Sequence, residues 1–151
     1  MSIQDWRPTE PLPLHHSWPL FDTAARFELG QIFDPVADAR GNGLPPAVGH
    51  WTCDLAEESL RWSDEVYQLF GFPRGAPVRR EDSLAVYQEE SRVVVERLRA
   101  YALRYRRGFT VDVMLRPADG GERGMRLIAA PECEEGRPVR LRGLKFALPP
   151  R

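Results

Sequence analysis

The last third of the chain restricts its fold more than any other part. It reads FTVDVMLR, ADGG, GMRLIAAPEC, EEGRP and VRLRGLKFAL in succession. In the first run, Phe109, Val111, Val113 and Leu115 alternate with Thr110, Asp112, Met114 and Arg116. A period of two places the apolar set on one face of a strand and the polar set on the other. ADGG and EEGRP carry the glycines and acidic residues of tight turns, so the three runs predict consecutive hairpin-linked, antiparallel strands. Such a sheet has an apolar face that another layer must cover.

The cover is sought upstream. HWTCDL and SLRW read as two short strands joined by AEES. Ser63 is in place to cap a helix over SDEVYQLF, with Asp64 and Glu65 in its first turn, where the helix dipole favours acids. Gly71 is in place to end that helix. EDSLAVY predicts a further helical turn, and the longest helix runs from about Gln88 to Arg107, stopped by Gly108. Its apolar face is expected at Val94, Leu98, Tyr101 and Tyr105. The order is β-β-α-(α)-α-β-β-β. It predicts an α+β domain with one five-stranded antiparallel sheet and its helices on one face.

Residues 1–21 hold Pro8, Pro11, Pro13 and Pro19. Proline removes amide donors, which predicts an irregular arm, with Trp6 and Trp18 available to pin it to a surface. Residues 22–47 are expected to form an N-terminal helix, Thr23–Phe33, and a Gly- and Pro-rich linker. Residues 48–148 form the compact domain. Adjacent His15 and His16 point to opposite faces of an extended segment and are not expected to share a metal.

The 151 residues suit one domain with an appendage. The formal charge of −1 offers no electrostatic case for nucleic acid. The arginines of the long helix (Arg92, Arg97, Arg99, Arg104, Arg106 and Arg107) are read as a solvated face paired with Glu89, Glu90 and Glu96. No apolar run spans a bilayer and no secretory pattern opens the chain, so the expected location is cytoplasmic. Cys53 and Cys133 belong to no metal-binding spacing and read as buried free thiols. Lys145 is the one lysine among 21 basic residues, which reads as a coding bias. No histidine follows position 50, and no phosphate-binding glycine loop is present, so no enzyme activity is expected.

The order of elements and particular residues resemble the PAS sensory domain, in the bacterial fold-3-like group. The matching positions are Gly49, Trp51, Asp54, Trp62, Ser63, Tyr67, Leu69, Phe70 and Gly71. They continue with Asp119-Gly120, Gly136-Arg137-Pro138, Arg140 and Gly143. Three departures stand out. Tyr87-Gln88-Glu89-Glu90 replaces the family's His-Pro-Glu-Asp. Gly124 follows Arg123 where the family has tryptophan. The last strand closes on Phe146-Ala147-Leu148 rather than Asp-Ile-Thr.

The resemblance implies a space between helices and sheet that holds a small ligand in some members. Candidate lining residues are Trp62, Leu69, Phe70, Leu84, Leu98, Val111, Val113, Leu127 and Leu141, which would equally serve as core. Neither cysteine has the Asn-Cys-Arg-Phe-Leu setting of a flavin photosensor, and no histidine lies on the long helix to bind haem. Neither cofactor is expected, and Arg116 is placed outward. The pocket is expected to be apolar, and small or filled by its own side chains, with an unidentified small ligand left open.

The function implied is that of a stand-alone, single-domain signal-transduction regulator, acting by contact with signalling proteins such as a two-component histidine kinase. The alternative is a small-molecule sensor or carrier, for which a cavity of roughly 300 Å³ would speak. A homodimer is expected, and Phe27, Leu29, Ile32, Phe33 and Met114 are candidates for the dimer or partner surface.

Overall fold

The computed structural model describes residues 15–27 and 47–149. Strand β1 (His15–Pro19) leads through a single 3-10 turn into helix α1 (Thr23–Phe27). The domain then builds β2 (Gly49–Asp54), β3 (Leu60–Trp62), α2 (Asp64–Phe70), α3 (Arg80–Leu84) and α4 (Glu89–Tyr105). It finishes with β4 (Arg107–Leu115), β5 (Arg123–Glu134) and β6 (Arg137–Ala147). All strands lie in one antiparallel sheet in the order β1-β4-β5-β6-β2-β3. The opening hairpin joins the closing meander because β2 pairs with β6, Trp51 opposite Gly143 and Cys53 opposite Leu141.

The sheet therefore has six strands, not the expected five. The sixth comes from the arm that the prolines marked as irregular. Pro19 sits at the end of β1, where a missing amide costs no ladder bond. Trp18, 1% exposed, anchors the strand by donating from Nε1 to Thr110 Oγ1 at 3.1 Å. The Trp18 ring lies where a Cβ on Gly108 would be, so Gly108 is a packing residue within β4. The helix stop assigned to it belongs to Arg106, whose φ of 54° ends α4 in the left-handed region. α1 ends the described part of the expected helix at Phe27. Leu29, Ile32 and Phe33 lie outside the described residues, as does Trp6.

One sheet face meets α2, α3 and α4. Strand alternation presents Phe109, Val111, Val113 and Leu115 from β4, Met125, Leu127 and Ala129 from β5, and Leu141 from β6. The helices answer with Val66, Leu69 and Phe70 from α2 and Val94, Val95, Leu98 and Ala102 from α4. The buried stripe of α4 is thus turned away from the expected one. Tyr101 is half-buried, Tyr105 is exposed, and their rings meet at 4.7 Å.

Ser63 precedes α2 as expected, but its Oγ accepts from the His50 amide at 2.9 Å and so ties β2 to the helix start. Gly71 ends α2 with φ 75°. Arg123 Nη1 donates to the Gln68 and Leu69 carbonyls at 3.2 and 2.7 Å, closing the same helix end. Cys53 is buried as expected, whereas Cys133 is exposed near the β5–β6 turn.

The opposite sheet face carries a second cluster: Trp18, Ile128, Ala130, Leu144 and Phe146, with Leu20, Phe27 and Val48 against it. Arg126 pairs with Asp112 beside it through two bonds of 2.8 and 3.1 Å. Among the described residues, Leu20, Phe27 and Val48 pack over this outer face. No helix among the described residues is long and apolar enough to cross a membrane.

Candidate functional site

The inner layer is not packed solid. A cavity of about 60 Å³ lies between the sheet and the α3–α4 side. Leu60, Leu84, Val95, Phe109, Leu127 and Leu141 supply apolar wall, and Arg80, Ser83, Tyr87, Glu96, Arg99 and Lys145 supply polar groups. The cavity is small and its wall mostly apolar, as expected, but a cation stands in it that the sequence reading did not place there. That cation is Lys145. Leu141, Gly143 and Lys145 occupy the inward phase of β6, while Leu144 and Phe146 face outward. A cationic residue is carried inside by the same alternation that carries leucine inside.

Lys145 is 6% exposed. Its Nζ lies 4.6 Å from the centre of the Phe70 ring, 5.1 Å from Trp51, 5.6 Å from Trp62 and 6.0 Å from Tyr87. These rings come from α2, β2, β3 and the α3–α4 connection, so the box exists only after the layers close. Phe70 is held against Trp62 at 4.7 Å and against Tyr87 at 5.8 Å. Aromatic faces attract a cation and compensate part of its lost hydration. Among the described residues, no carboxylate pairs with Nζ. The cavity's one acid, Glu96, is held by Arg80, and Arg99 reaches Glu58 at 3.7 Å. Neither pairing is the within-helix one expected for α4.

Burial pushes the Lys145 ammonium down to about 7, against a weaker opposing influence of Cys53. Burial likewise pushes the Cys53 thiol up, against Arg99 and Arg80. The Tyr87 hydroxyl is pushed up by burial and by Glu96. Two further polar groups border the box. The indole nitrogens of Trp51 and Trp62 are buried and have no hydrogen-bond partner among the described residues.

Among the candidate lining residues, Leu84, Leu127 and Leu141 border the cavity. Trp62 and Phe70 form the box around Nζ. Leu69, Leu98, Val111 and Val113 belong to the surrounding core. Of the candidate surface residues, Phe27 packs on the chain's own outer face, edge-on to Trp18 at 6.3 Å and 5.0 Å from the Arg142 guanidinium. Met114 is exposed, as is Arg116. Among the described residues no group of three or more His, Cys, Asp and Glu could hold a metal. Sequence reading missed Lys145, although counting the alternation forward from Leu141 points it inward.

No family model matches the chain, and no curated protein is similar to it. Solved structures do match. The N-terminal domain of a diguanylate cyclase with PAS/PAC sensor from Marinobacter aquaeolei superposes with a TM-score of 0.61 at 16% identity, covering 67% of this chain and 94% of its own. The fold is that of a PAS domain. A sensory box histidine kinase/response regulator from Burkholderia thailandensis gives 0.58 at 16% identity, over 75% of this chain and 82% of its own. An RNA-binding light-oxygen-voltage receptor gives 0.59 at 20% identity, over 67% of this chain and 29% of its own. The PAS resemblance seen in the sequence is thus matched in three dimensions. The six-stranded antiparallel sheet, with α2, α3 and α4 on one face and the N-terminal α1 on the other, fits the expected α+β class.

Proposed function

We propose that this PAS domain is a signal-transduction regulator that works by binding rather than catalysis. Its output is contact with a signalling protein, with a histidine kinase as the leading class, and it acts as a homodimer. The observation that carries this reading is the construction of β6. Lys145 stands in the inner cavity between Leu144 and Phe146, which belong to the outer apolar face. A change in what surrounds Nζ moves the backbone that positions both outer residues. Such a coupling converts an event inside the domain into a different partner surface, by a shift between two populations of the β6 and outer-face arrangement. The likeness in fold to a sensory box histidine kinase domain supports the same reading.

Met114 lies exposed on the polar side of β4 and tests the surface without disturbing the core. Affinity capture from native lysate should enrich a histidine kinase or its response regulator with wild-type protein, and much less of it with Met114→Glu. Light scattering should give the wild-type chain twice its monomer mass. Capture no better than that of an unrelated PAS domain, together with a monomeric mass, would refute the proposal. The small-molecule sensor is the second reading. The cavity is well below the size of a typical ligand pocket, but the unpaired lysine within it favours an input there.

A further inference from the structure

We propose that one flank of α4, formed by Arg97, Tyr101, Arg104 and Tyr105 with Arg106 and Arg107 at its foot, is a docking surface for an acidic segment of a partner protein. This deepens the regulator reading given above and rests on the domain's output being contact with another protein.

The chain does not neutralise the charge on this flank. From Arg97 to Arg107 the sequence reads RLRAYALRYRR, five arginines and no carboxylate, in a chain whose formal charge is −1. The rest of the chain is therefore acidic on balance. The other flank of α4 is paired internally: Glu96 is held by Arg80, and Arg99 reaches Glu58 at 3.7 Å. Arg97, Arg104, Arg106 and Arg107 have no carboxylate partner among the described residues. Two of them are nonetheless held in place. Arg106 Nη1 donates to the Gly136 carbonyl at 3.1 Å, and Arg107 Nε donates to Ser17 Oγ at 2.7 Å. These bonds to neutral groups order the side chains and leave their charge unpaired. The negative end of a helix dipole accounts for cations in the last turn. It does not account for Arg97, about two turns earlier, or for Arg107 on β4.

The tyrosines add a contact surface that the core does not need. Val94, Val95, Leu98 and Ala102 supply the buried side of α4. Residues four, seven and eight apart fall on one side of a helix, so Arg97, Tyr101, Arg104 and Tyr105 form one stripe. The Tyr101 and Tyr105 rings meet at 4.7 Å, and the Arg104 guanidinium lies 5.3 Å from the centre of the Tyr105 ring. Tyr105 is 49% exposed. Three side chains stacked in this way are ordered before a partner arrives, which lowers the entropy cost of binding. Tyrosine and arginine are also the residue types that most often anchor protein interfaces.

Charge complementarity selects the occupant. A guanidinium pairs with a carboxylate through two parallel N–H donors, and a tyrosine offers a ring face to an apolar neighbour and a hydroxyl to an acid. Arg97 and Arg104 stand about 10 Å apart along the helix axis, seven residues at about 1.5 Å each. A partner segment with carboxylates one to two helical turns apart and an apolar residue between them matches both arginines and the rings together. A nucleic acid strand carries a longer track of phosphates, and beyond this short patch it meets a chain that is acidic on balance.

The test is fluorescence anisotropy on the purified full chain with three labelled probes. One is a helical peptide with glutamates at every third or fourth position among alanine and leucine, the second has lysines in their place, and the third is a single-stranded oligonucleotide. The acidic peptide should bind and the basic one should not. Binding should weaken as salt rises, because the screening length falls from about 10 Å at 0.1 M to about 3 Å at 1 M. The double variant Arg97→Glu/Arg104→Glu should lower affinity about tenfold or more, since like charges then face each other. Arg97→Gln/Arg104→Gln is measured beside it, so that a folding defect in one variant does not decide the outcome. Tyr105→Ala keeps every charge and should still lower affinity severalfold. Arg92→Glu/Arg116→Glu makes the same change of net charge at exposed positions outside the stripe and should leave affinity within about twofold. Unchanged affinity in the Arg97/Arg104 variants, an equal loss in the Arg92/Arg116 variant, no effect of Tyr105→Ala, or tighter binding of the oligonucleotide than of the acidic peptide would each overturn the proposal. Absence of peptide binding with histidine-kinase capture intact would sink this inference alone. Peptide binding as expected with no partner captured would sink only the regulator reading.

Discussion

Replacing Lys145 by methionine should stabilise this protein, and by an amount that depends on pH. The lysine is normally protonated up to 10.5 in an unfolded chain and only up to about 7 when folded. A shift of that size corresponds to about 5 kcal/mol of cost for keeping the ammonium inside, at 1.36 kcal/mol per pH unit. The sign follows from proton counts. Between pH 7 and 10.5 the unfolded chain holds a proton that the folded chain has released, so wild-type stability rises with pH across this window. Below pH 7 both states are protonated and the cost is present in full. Methionine matches the unbranched stem, carries no charge and makes favourable sulfur contacts with aromatic rings. Urea unfolding of both proteins at pH 6, 7, 8 and 9, at fixed ionic strength, isolates the lysine, because every other titrating group is shared. Lys145→Met should be the more stable protein at pH 6 by a few kcal/mol, and its advantage should shrink by about 3 kcal/mol by pH 9. The cation–π contacts reduce the absolute gain without reversing its slope. A difference between the proteins that does not vary with pH would show that Nζ is not buried as described.

Two further changes probe the elements that hold the site. Trp18→Ala should cost about 3–5 kcal/mol, because it removes the largest side chain of the outer cluster and leaves Thr110 without its donor. Thermal unfolding with a hydrophobic dye would check this, and dye binding to the folded variant should rise as Ile128 and Phe146 lose their cover. Gly71→Ala should cost at least about 1–2 kcal/mol, since φ of 75° disfavours any Cβ and one here would also meet Asp119. A loss under 0.5 kcal/mol in chemical denaturation would show that the end of α2 is free to rearrange (surface substitutions typically stay within about ±0.5 kcal/mol).

Much of the architecture was legible because it rests on local rules. Alternation in FTVDVMLR specified which β4 residues face the helices, and Asp119-Gly120 and Glu135-Gly136 specified where the meander turns. Gly71 marked the end of α2. Local rules failed where a distant partner decided. The prolines of the arm argued for irregular backbone, yet β1 forms because the edge of β4 is open and Trp18 finds the space left by Gly108. The stripe on α4 was displaced toward Val95 and Ala102 because the orientation of a helix is set by the sheet beneath it, not by its own periodicity.

Lys145 shows the same division at the site. Its inward phase could be counted from Leu141 along β6 using the sequence alone. That four rings from four separate segments converge on its ammonium, and that Glu96 is turned to Arg80 instead, are products of layer packing. Period and turn chemistry act over a few neighbouring residues, so the sequence by itself determines the strands of the closing meander, their turns and their faces. Electrostatic environment depends on groups dozens of residues apart along the chain, and only the closed tertiary structure decides whether a lysine is a solvated surface charge or a buried amine in want of a partner.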